Sequence, residues 1–138
     1  MTPRSFIDTN VLLYATSSLP GEEAKRMLAE DLLEADDLAL SVQVLQEFYV
    51  QATRPTRQRR LDHQLASSFI RVWLRFPVQP MTLGIFHDAL AIAQAHRLSY
   101  WDSAILAAAR ACGCVEVLSE DMGHGSRLAG IHIVNPFR

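Results

Sequence analysis

Ser5-Phe6-Ile7-Asp8-Thr9-Asn10-Val11-Leu12-Leu13 is the segment that says most about the architecture. Phe6 and Ile7 suit a strand, the run meets an acid, and a helical apolar pattern starts at once in Val11 and Leu12. A strand that turns directly into a helix is the first half of a β-α-β unit. The turn carries three short oxygen-bearing side chains, Asp8, Thr9 and Asn10, and ligands of open α/β sheets gather at such strand ends. Taken alone, Asp8 has a simpler use as the cap of the following helix, whose first N–H groups lack partners. Acids at three comparable junctions later in the chain give it more weight.

Working outward, Val11 to Ser17 predicts a short helix, and Leu19-Pro20-Gly21 marks a turn. Between Glu22 and Asp36 the residues Ala24, Met27, Leu28, Leu32 and Ala35 recur at helical spacing, with Glu22, Glu23, Arg26, Glu30 and Glu34 largely opposite. Leu38 to Val42 reads as a strand. Val44, Leu45, Phe48, Tyr49 and Ala52 then form an apolar helical face, and Gln43, Glu47, Gln51 and Arg54 line its polar side. Arg54-Pro55-Thr56-Arg57-Gln58-Arg59-Arg60 breaks the pattern as a loop.

Leu65, Phe69, Val72, Trp73 and Phe76 rebuild a helix that ends before Pro77, because a residue preceding proline is pushed out of helical geometry. Val78 suits a short strand. Thr82 is the expected cap of a helix with Leu83, Phe86, Leu90 and Ala93 on one face, ending near His96-Arg97. Ser99-Tyr100-Trp101-Asp102 opens the next helix, and its segment from Ala104 to Ala109 is apolar nearly all round, the mark of a helix buried in the middle of a fold. Gly113 stops it. Val115 to Ser119 is a strand leading to Glu120-Asp121 and a glycine-containing loop, and Ile131 to Val134 alternates as a last strand. Strands separated by helices imply a mostly parallel sheet with right-handed crossovers and helices on both faces.

A chain of 138 residues, 49% of them hydrophobic, is long enough for one ordinary core and too short for two, so one domain over residues 1–138 is expected. A net charge of -2 argues against a protein that coats nucleic acid indiscriminately, since counterion release needs a strong basic excess. Cys112 and Cys114 alone fit neither a disulfide framework nor a Cys-x-x-Cys site, and read as reduced thiols. No secretory signal and no membrane-spanning run is visible, so a cytoplasmic protein without a membrane partner is expected.

The acids are then weighed together. Asp8 ends the first strand and Asp121 follows a late one, so both should emerge at the same sheet edge. Asp102 opens the buried helix and Glu47 lies on the polar stripe of a helix that follows a strand. Each has an ordinary use: Asp102 in a capping box with Ser99, Glu47 as a solvated glutamate, Asp121 as a turn residue. Those uses leave their shared edge unexplained. Two carboxylates about 4 Å apart repel by roughly 4 kcal/mol at an effective dielectric of about 20, so a cluster calls for a cation. Oxygen-only ligands favour Mg²⁺ or Mn²⁺ over zinc, and such an ion suits phosphodiester hydrolysis.

These residues resemble the PIN-domain nucleases, in particular the VapC-like toxins of bacterial toxin-antitoxin modules, nearly end to end. Phe6-Ile7-Asp8-Thr9-Asn10-Val11-Leu12 resembles the opening motif and Gln46-Glu47-Phe48-Tyr49 the second acidic motif. Ser99-Tyr100-Trp101-Asp102-Ser103-Ala104-Ile105 resembles the third; Leu118-Ser119-Glu120-Asp121-Met122 and Ile133-Val134-Asn135-Pro136-Phe137 resemble the last. The resemblance implies a three-layer α/β/α sandwich around a central, mostly parallel sheet. It implies a metal-dependent endoribonuclease with Asp8, Glu47, Asp102 and Asp121 as its acidic cluster. Asp8, Asp102 and Asp121 would face the metal, with Asn10 and Ser119 as polar support. RNA as substrate, a cognate antitoxin as inhibitor and a homodimer are implied as well.

Arg54, Arg57, Arg59 and Arg60 are candidates for contacting an RNA backbone, against the ordinary reading of a solvated basic loop. Tyr100 and Trp101 are expected in the core, stacking on an unpaired base being the alternative. His124, close after Asp121, is a candidate phosphate contact against the ordinary reading of a loop histidine, and His63, His87, His96 and His132 lack ligand spacing. Two rival functions stay open. A haloacid-dehalogenase-like phosphohydrolase would share the Asp8 turn, although it expects an aspartate where Asn10 stands. A non-catalytic PIN-like binding module would act through protein contacts.

Overall fold

A computed structural model describes residues 2–138. The first strand β1 (Ser5–Ile7) runs into α1 (Thr9–Ala15), followed by α2 (Glu23–Leu32), β2 (Leu38–Ser41), α3 (Val42–Ala52) and α4 (His63–Trp73). Then come β3 (Val78–Gln79), α5 (Leu83–His96), α6 (Tyr100–Ala111), β4 (Glu116–Leu118), β5 (Arg127–Leu128) and β6 (Ile131–Val134). The strands form one sheet in the order β3-β2-β1-β4-β6-β5, parallel except for β5.

That order dictates the layers. The chain steps from β1 to β2 to β3 in one direction, then crosses back from β3 to β4 on the far side of β1. Right-handed crossovers running in opposite directions put their helices on opposite faces, so α1 to α4 cover one side and α5 with α6 the other. The result is the expected three-layer α/β/α sandwich. The chain leaves β1 toward β2 and leaves β4 toward β6, so the crevice between β1 and β4 is the switch point of the sheet.

The central helix is α6, with Ser103 through Ala109 all buried, lying against β2, β4 and β6 and backed by α5. Its small side chains permit close approach to the sheet. Phe6, Ile7, Leu40, Val117 and Ile133 fill the sheet side of the core, and Phe48 packs edge-on against Trp73 at 4.7 Å between α3 and α4. No helix among the described residues is long and apolar enough to cross a membrane.

Four local readings are corrected. Val42 belongs to α3 and not to the strand, because Ser41 caps that helix by accepting from the Val44 amide at 3.2 Å. A strand not anticipated, β5, pairs antiparallel with β6 through a two-residue turn in which Ala129 and Gly130 both have positive φ. In α5 the stripe Leu83, Phe86 and Leu90 faces outward, Leu83 being 70% exposed, while Ile85, Ala89 and Ile92 are buried. In α2 Met27 and Leu28 are exposed and Ala24 with them, and the buried contacts are made by Ala29 and by Leu33 just beyond the helix. Both helices carry apolar residues on more than one side, and only the neighbouring helix selects the stripe that is covered.

Candidate active site

Register brings the first two residues together. Ile7 on β1 pairs with Leu118 on β4, and the Asp8 amide donates to the Leu118 carbonyl at 3.1 Å. The next residues along the two strands, Asp8 and Ser119, therefore stand side by side at the mouth of the switch point, where the Ser119 hydroxyl donates to Asp8 Oδ2 at 2.7 Å. Asp8 is also the cap of α1, accepting from the Thr9 amide at 2.8 Å. Capping and site geometry coincide, since one carboxylate oxygen serves the helix and the other faces β4.

Asn10, on the first turn of α1, ties the remaining pieces together. Its Nδ2 lies 3.4 Å from Asp8 Oδ2, 3.3 Å from Ser119 Oγ and 3.2 Å from Asp121 Oδ2, and its Oδ1 accepts from the Glu120 amide at 3.2 Å. The Asp121 amide in turn donates to Ser119 Oγ at 3.1 Å. One amide side chain thus holds the loop after β4 against the start of α1.

Glu47 comes from α3 on the same side of the sheet as α1. Its Oε1 accepts from Thr9 Oγ1 at 3.2 Å, so the polar stripe of α3 is partly turned inward, and Glu47 is only half exposed. Asp102 arrives from the other side of the sheet, on the first turn of α6. Ser99 caps that helix, accepting from the Asp102 amide at 3.1 Å, and leaves the Asp102 carboxylate directed to the shared cavity. All four acids line one cavity of about 120 Å³, together with Thr9, Asn10 and Gln51.

The electrostatics follow from that crowding. Burial pushes Asp8 up to about 6, against the hydrogen bonds from Ser119 and Thr9, and the charges of Glu47 and Asp102 push it further in the same direction. Burial raises Glu47 as well, opposed by Thr9 and Gln43 and reinforced by Asp102. Asp102 is raised by burial and then by Asp121, with Ser99 opposing. Three carboxylates, Asp8, Glu47 and Asp102, that resist ionisation together make a site that a cation would relieve.

The donors are oxygens throughout, which fits a hard divalent ion. Among the described residues no three His, Cys, Asp or Glu side chains are gathered tightly enough to make a ready-formed metal cage. Mg²⁺ does not ask for one: it keeps several of its waters and is held by one or two carboxylates. An open oxygen-lined cavity suits it, and a closed tetrahedral zinc site would not.

The basic loop divides. Arg54 lines a cleft next to Glu47, whereas Arg57 and Arg59 turn toward the connection between α1 and α2, and Arg59 Nη1 donates to the Ser18 carbonyl at 3.3 Å. Arg60 is exposed. His124 accepts from the Asn135 amide at 3.0 Å and so staples the glycine loop to the end of β6. Trp101, expected in the core, is 63% exposed, because the residues of α6 that enter the core begin only at Ser103. Tyr100 is half-buried against Phe86.

Three contacts were not foreseen from the sequence. Thr9 orients Glu47, a role hidden until α3 is laid beside α1. Gln43 Nε2 donates to the Trp101 carbonyl at 3.2 Å and joins α3 to the start of α6 across 58 residues. Outside the cavity, Glu120 accepts from Tyr14 Oη at 2.7 Å and from Lys25 Nζ at 2.9 Å. These contacts brace the loop that carries Asp121. Burial raises the Glu120 carboxyl, but the bonds from Lys25 and Tyr14 outweigh it and hold the group below its ordinary value. Nothing in the spacing of Tyr14, Lys25 and Glu120 signals that contact.

Comparison with known proteins bears on the fold. The family model for the PIN domain matches residues 5–126. No curated protein sequence matches the chain. A chain of a toxin-antitoxin complex from Klebsiella pneumoniae is similar in structure at a TM-score of 0.72 and 21% identity, covering 96% of this chain and 97% of that one. Mycobacterium tuberculosis VapC20, described as a Sarcin-Ricin loop cleaving toxin, matches at 0.66 and 20% identity over 85% of this chain and 91% of its own. FitAcB from Neisseria gonorrhoeae matches at 0.66 and 20% identity over 96% and 98%. At such identities the likeness speaks for the fold, which these solved structures share with this chain. With the family's model spanning most of its length, the chain belongs to the PIN domain family.

Proposed function

We infer that this chain is a Mg²⁺- or Mn²⁺-dependent endoribonuclease, one domain over residues 1–138, and the toxin of a VapBC-type pair acting in the cytoplasm under the control of a cognate antitoxin. The observation that carries the reading is the meeting of Asp8, Glu47, Asp102 and Asp121 in one oxygen-lined cavity at the switch point of the sheet. Asp8 and Asp102, contributed from opposite faces of the sheet, are the residues that would hold the ion, and Asp121 adds a third carboxylate from the loop. Such an ion, when bound, polarises a phosphoryl oxygen and lowers the pKa of water. Glu47, oriented by Thr9 and raised in pKa, is placed to take a proton from an attacking water. Asn10 and Ser119 keep the Asp8 and Asp121 carboxylates in position. In-line attack leaves a 5′-phosphate and a 3′-hydroxyl.

Two surfaces support the partners. A cleft of about 560 Å³ between α2 and α4, lined by Leu33, Phe69, Val72 and Trp73 with Arg75 and acids at its rim, is of the kind an amphipathic helix enters, and fits an antitoxin segment. The outward stripe of Leu83, Phe86 and Leu90 on α5 supports a homodimer. The test is cleavage of an RNA pool by the purified chain with Mg²⁺ or Mn²⁺, with its Asp8→Asn and Asp102→Asn variants alongside. Cutting that needs the ion and is lost in both variants is expected. Metal-independent cutting, or variants as active as the parent, would remove the cluster from the chemistry.

A further inference from the structure

Beside the acidic cavity lies a second, wider cleft of about 580 Å³ between α3 and the start of α6. The two share Glu47 and Gln51 as lining residues, so they adjoin. The wider cleft is bounded by Trp101 on one side, by Gln46 and Gln51 along α3, and by Arg54 beyond the end of that helix. An exposed aromatic on its own is ordinary. This one is held. The Tyr100 ring meets Trp101 edge-on at 5.1 Å, and Gln43, itself 6% exposed and part of the cleft wall, donates to the Trp101 carbonyl. The Gln43 Oε1 atom is buried without a protein partner, an acceptor where one is normally paired.

We propose that this cleft is a base-binding subsite, in which an unpaired nucleobase next to the scissile phosphate stacks on Trp101, with the α3 amides at its edge and Arg54 near its phosphate. The chemistry matches part by part. Single-stranded nucleic acid is held by aromatic platforms and cations, since every base has a π-face. Amide side chains carry both donor and acceptor and can pair with a base edge. The Arg54 guanidinium supplies a fork for phosphate oxygens in the cleft that Glu47 also lines. The cleft lined by Trp101 adjoins the carboxylate cavity at Glu47 and Gln51, so a base on its ring brings the adjoining phosphate toward the carboxylates. The subsite rests on the nuclease reading for its place in the reaction, but its occupancy is measurable without cleavage.

The sequence contains two tryptophans, and Trp73 is 4% exposed, so a change in fluorescence on adding RNA reports Trp101. The probe is a short single-stranded oligoribonucleotide titrated into the full-length Asp8→Asn protein, with the same sequence as a duplex for comparison. Saturable quenching by the single strand and little by the duplex is expected. With the oligonucleotide carrying a fluorescent label and binding read by its anisotropy, Trp101→Ala should weaken binding by about tenfold, the scale of one base-on-aromatic stack, and Trp101→Phe should recover most of it. Equal affinity in parent and Trp101→Ala protein overturns the proposal. So does a Trp101 signal that changes with protein concentration and not with RNA, which would assign the face to a second copy of the chain. Failure of the wild-type protein to cut any RNA would instead count against the nuclease reading and leave these binding results to be judged on their own.

Discussion

The Ser119 hydroxyl donates to Asp8 Oδ2 at 2.7 Å although 111 residues separate the two in the chain. Parallel pairing of β1 with β4 makes them neighbours, and Ser119 is fully buried. The same hydroxyl accepts from the Asp121 amide and lies within reach of Asn10, and so couples two of the acids to one another.

Ser119→Ala removes a bond that opposes the upward shift of Asp8 and leaves a buried carboxylate short of a donor. The variant should lose about 1 to 2 kcal/mol of stability in urea unfolding, and the acidic limb of its pH-activity profile should move to higher pH. An unmoved profile would show that Ser119 does not set the ionisation of Asp8.

Asp8 gives the metal-free protein a definite pH dependence. Its carboxyl is near 6 in the folded chain against an ordinary 3.8, so the folded state binds the proton more tightly than the unfolded one. Its contribution to stability is therefore fully present below about 3.8 and is lost as pH rises through about 6. Two pKa units correspond to an upper bound on the order of 3 kcal/mol. Melting in EDTA across this window should show a downward slope with pH that Asp8→Asn flattens, and the variant should be at least as stable as the parent at neutral pH. An equally steep slope in the variant would place the titration elsewhere.

Mg²⁺ should reverse that penalty. An ion that binds only the folded state stabilises by about 2.7 kcal/mol at a hundred times its dissociation constant, and it must displace the proton from Asp8. The rise in melting temperature with Mg²⁺ or Mn²⁺ should be large at neutral pH, shrink below about pH 6, and be lost in Asp102→Asn. Equal stabilisation of the parent and Asp102→Asn would mean that the ion binds away from this cavity.

Tyr14→Phe probes the brace behind Asp121. The change removes a 2.7 Å bond to Glu120 and leaves the ring, which meets Phe137 edge-on at 4.8 Å, in place. A loss of about 1 kcal/mol is expected from urea unfolding, with a cleavage rate lowered less than in any of the Asp variants. An unchanged midpoint would mean that this contact does not hold the loop.

Most of the fold is legible along the chain because each local signal agrees with its neighbours. Phe6-Ile7-Asp8 ends a strand and starts a helix, Thr82 and Ser99 cap α5 and α6 as their spacing predicts, and the alanine-rich run marks α6 as the central helix. Strand β5 was not legible. It is two residues long, has no room to alternate, and closes on a turn with Ala129 at positive φ, a place where glycine or asparagine would be the usual signal.

What the sequence determined by itself is the kind of parts: short strand ends bearing acids, polar helix starts and an apolar central helix, all set by periodicity and capping within a few residues. Which side of a two-sided helix is covered, that Trp101 stays outside while Ser103 goes in, and that Thr9 meets Glu47 and Ser119 meets Asp8 are decided by the sheet order and the β1 to β4 register. The reason is range. A helix cap or an alternating strand is a contact between near neighbours, whereas the carboxylate cavity is a contact among four segments whose separation is closed only when the sheet assembles.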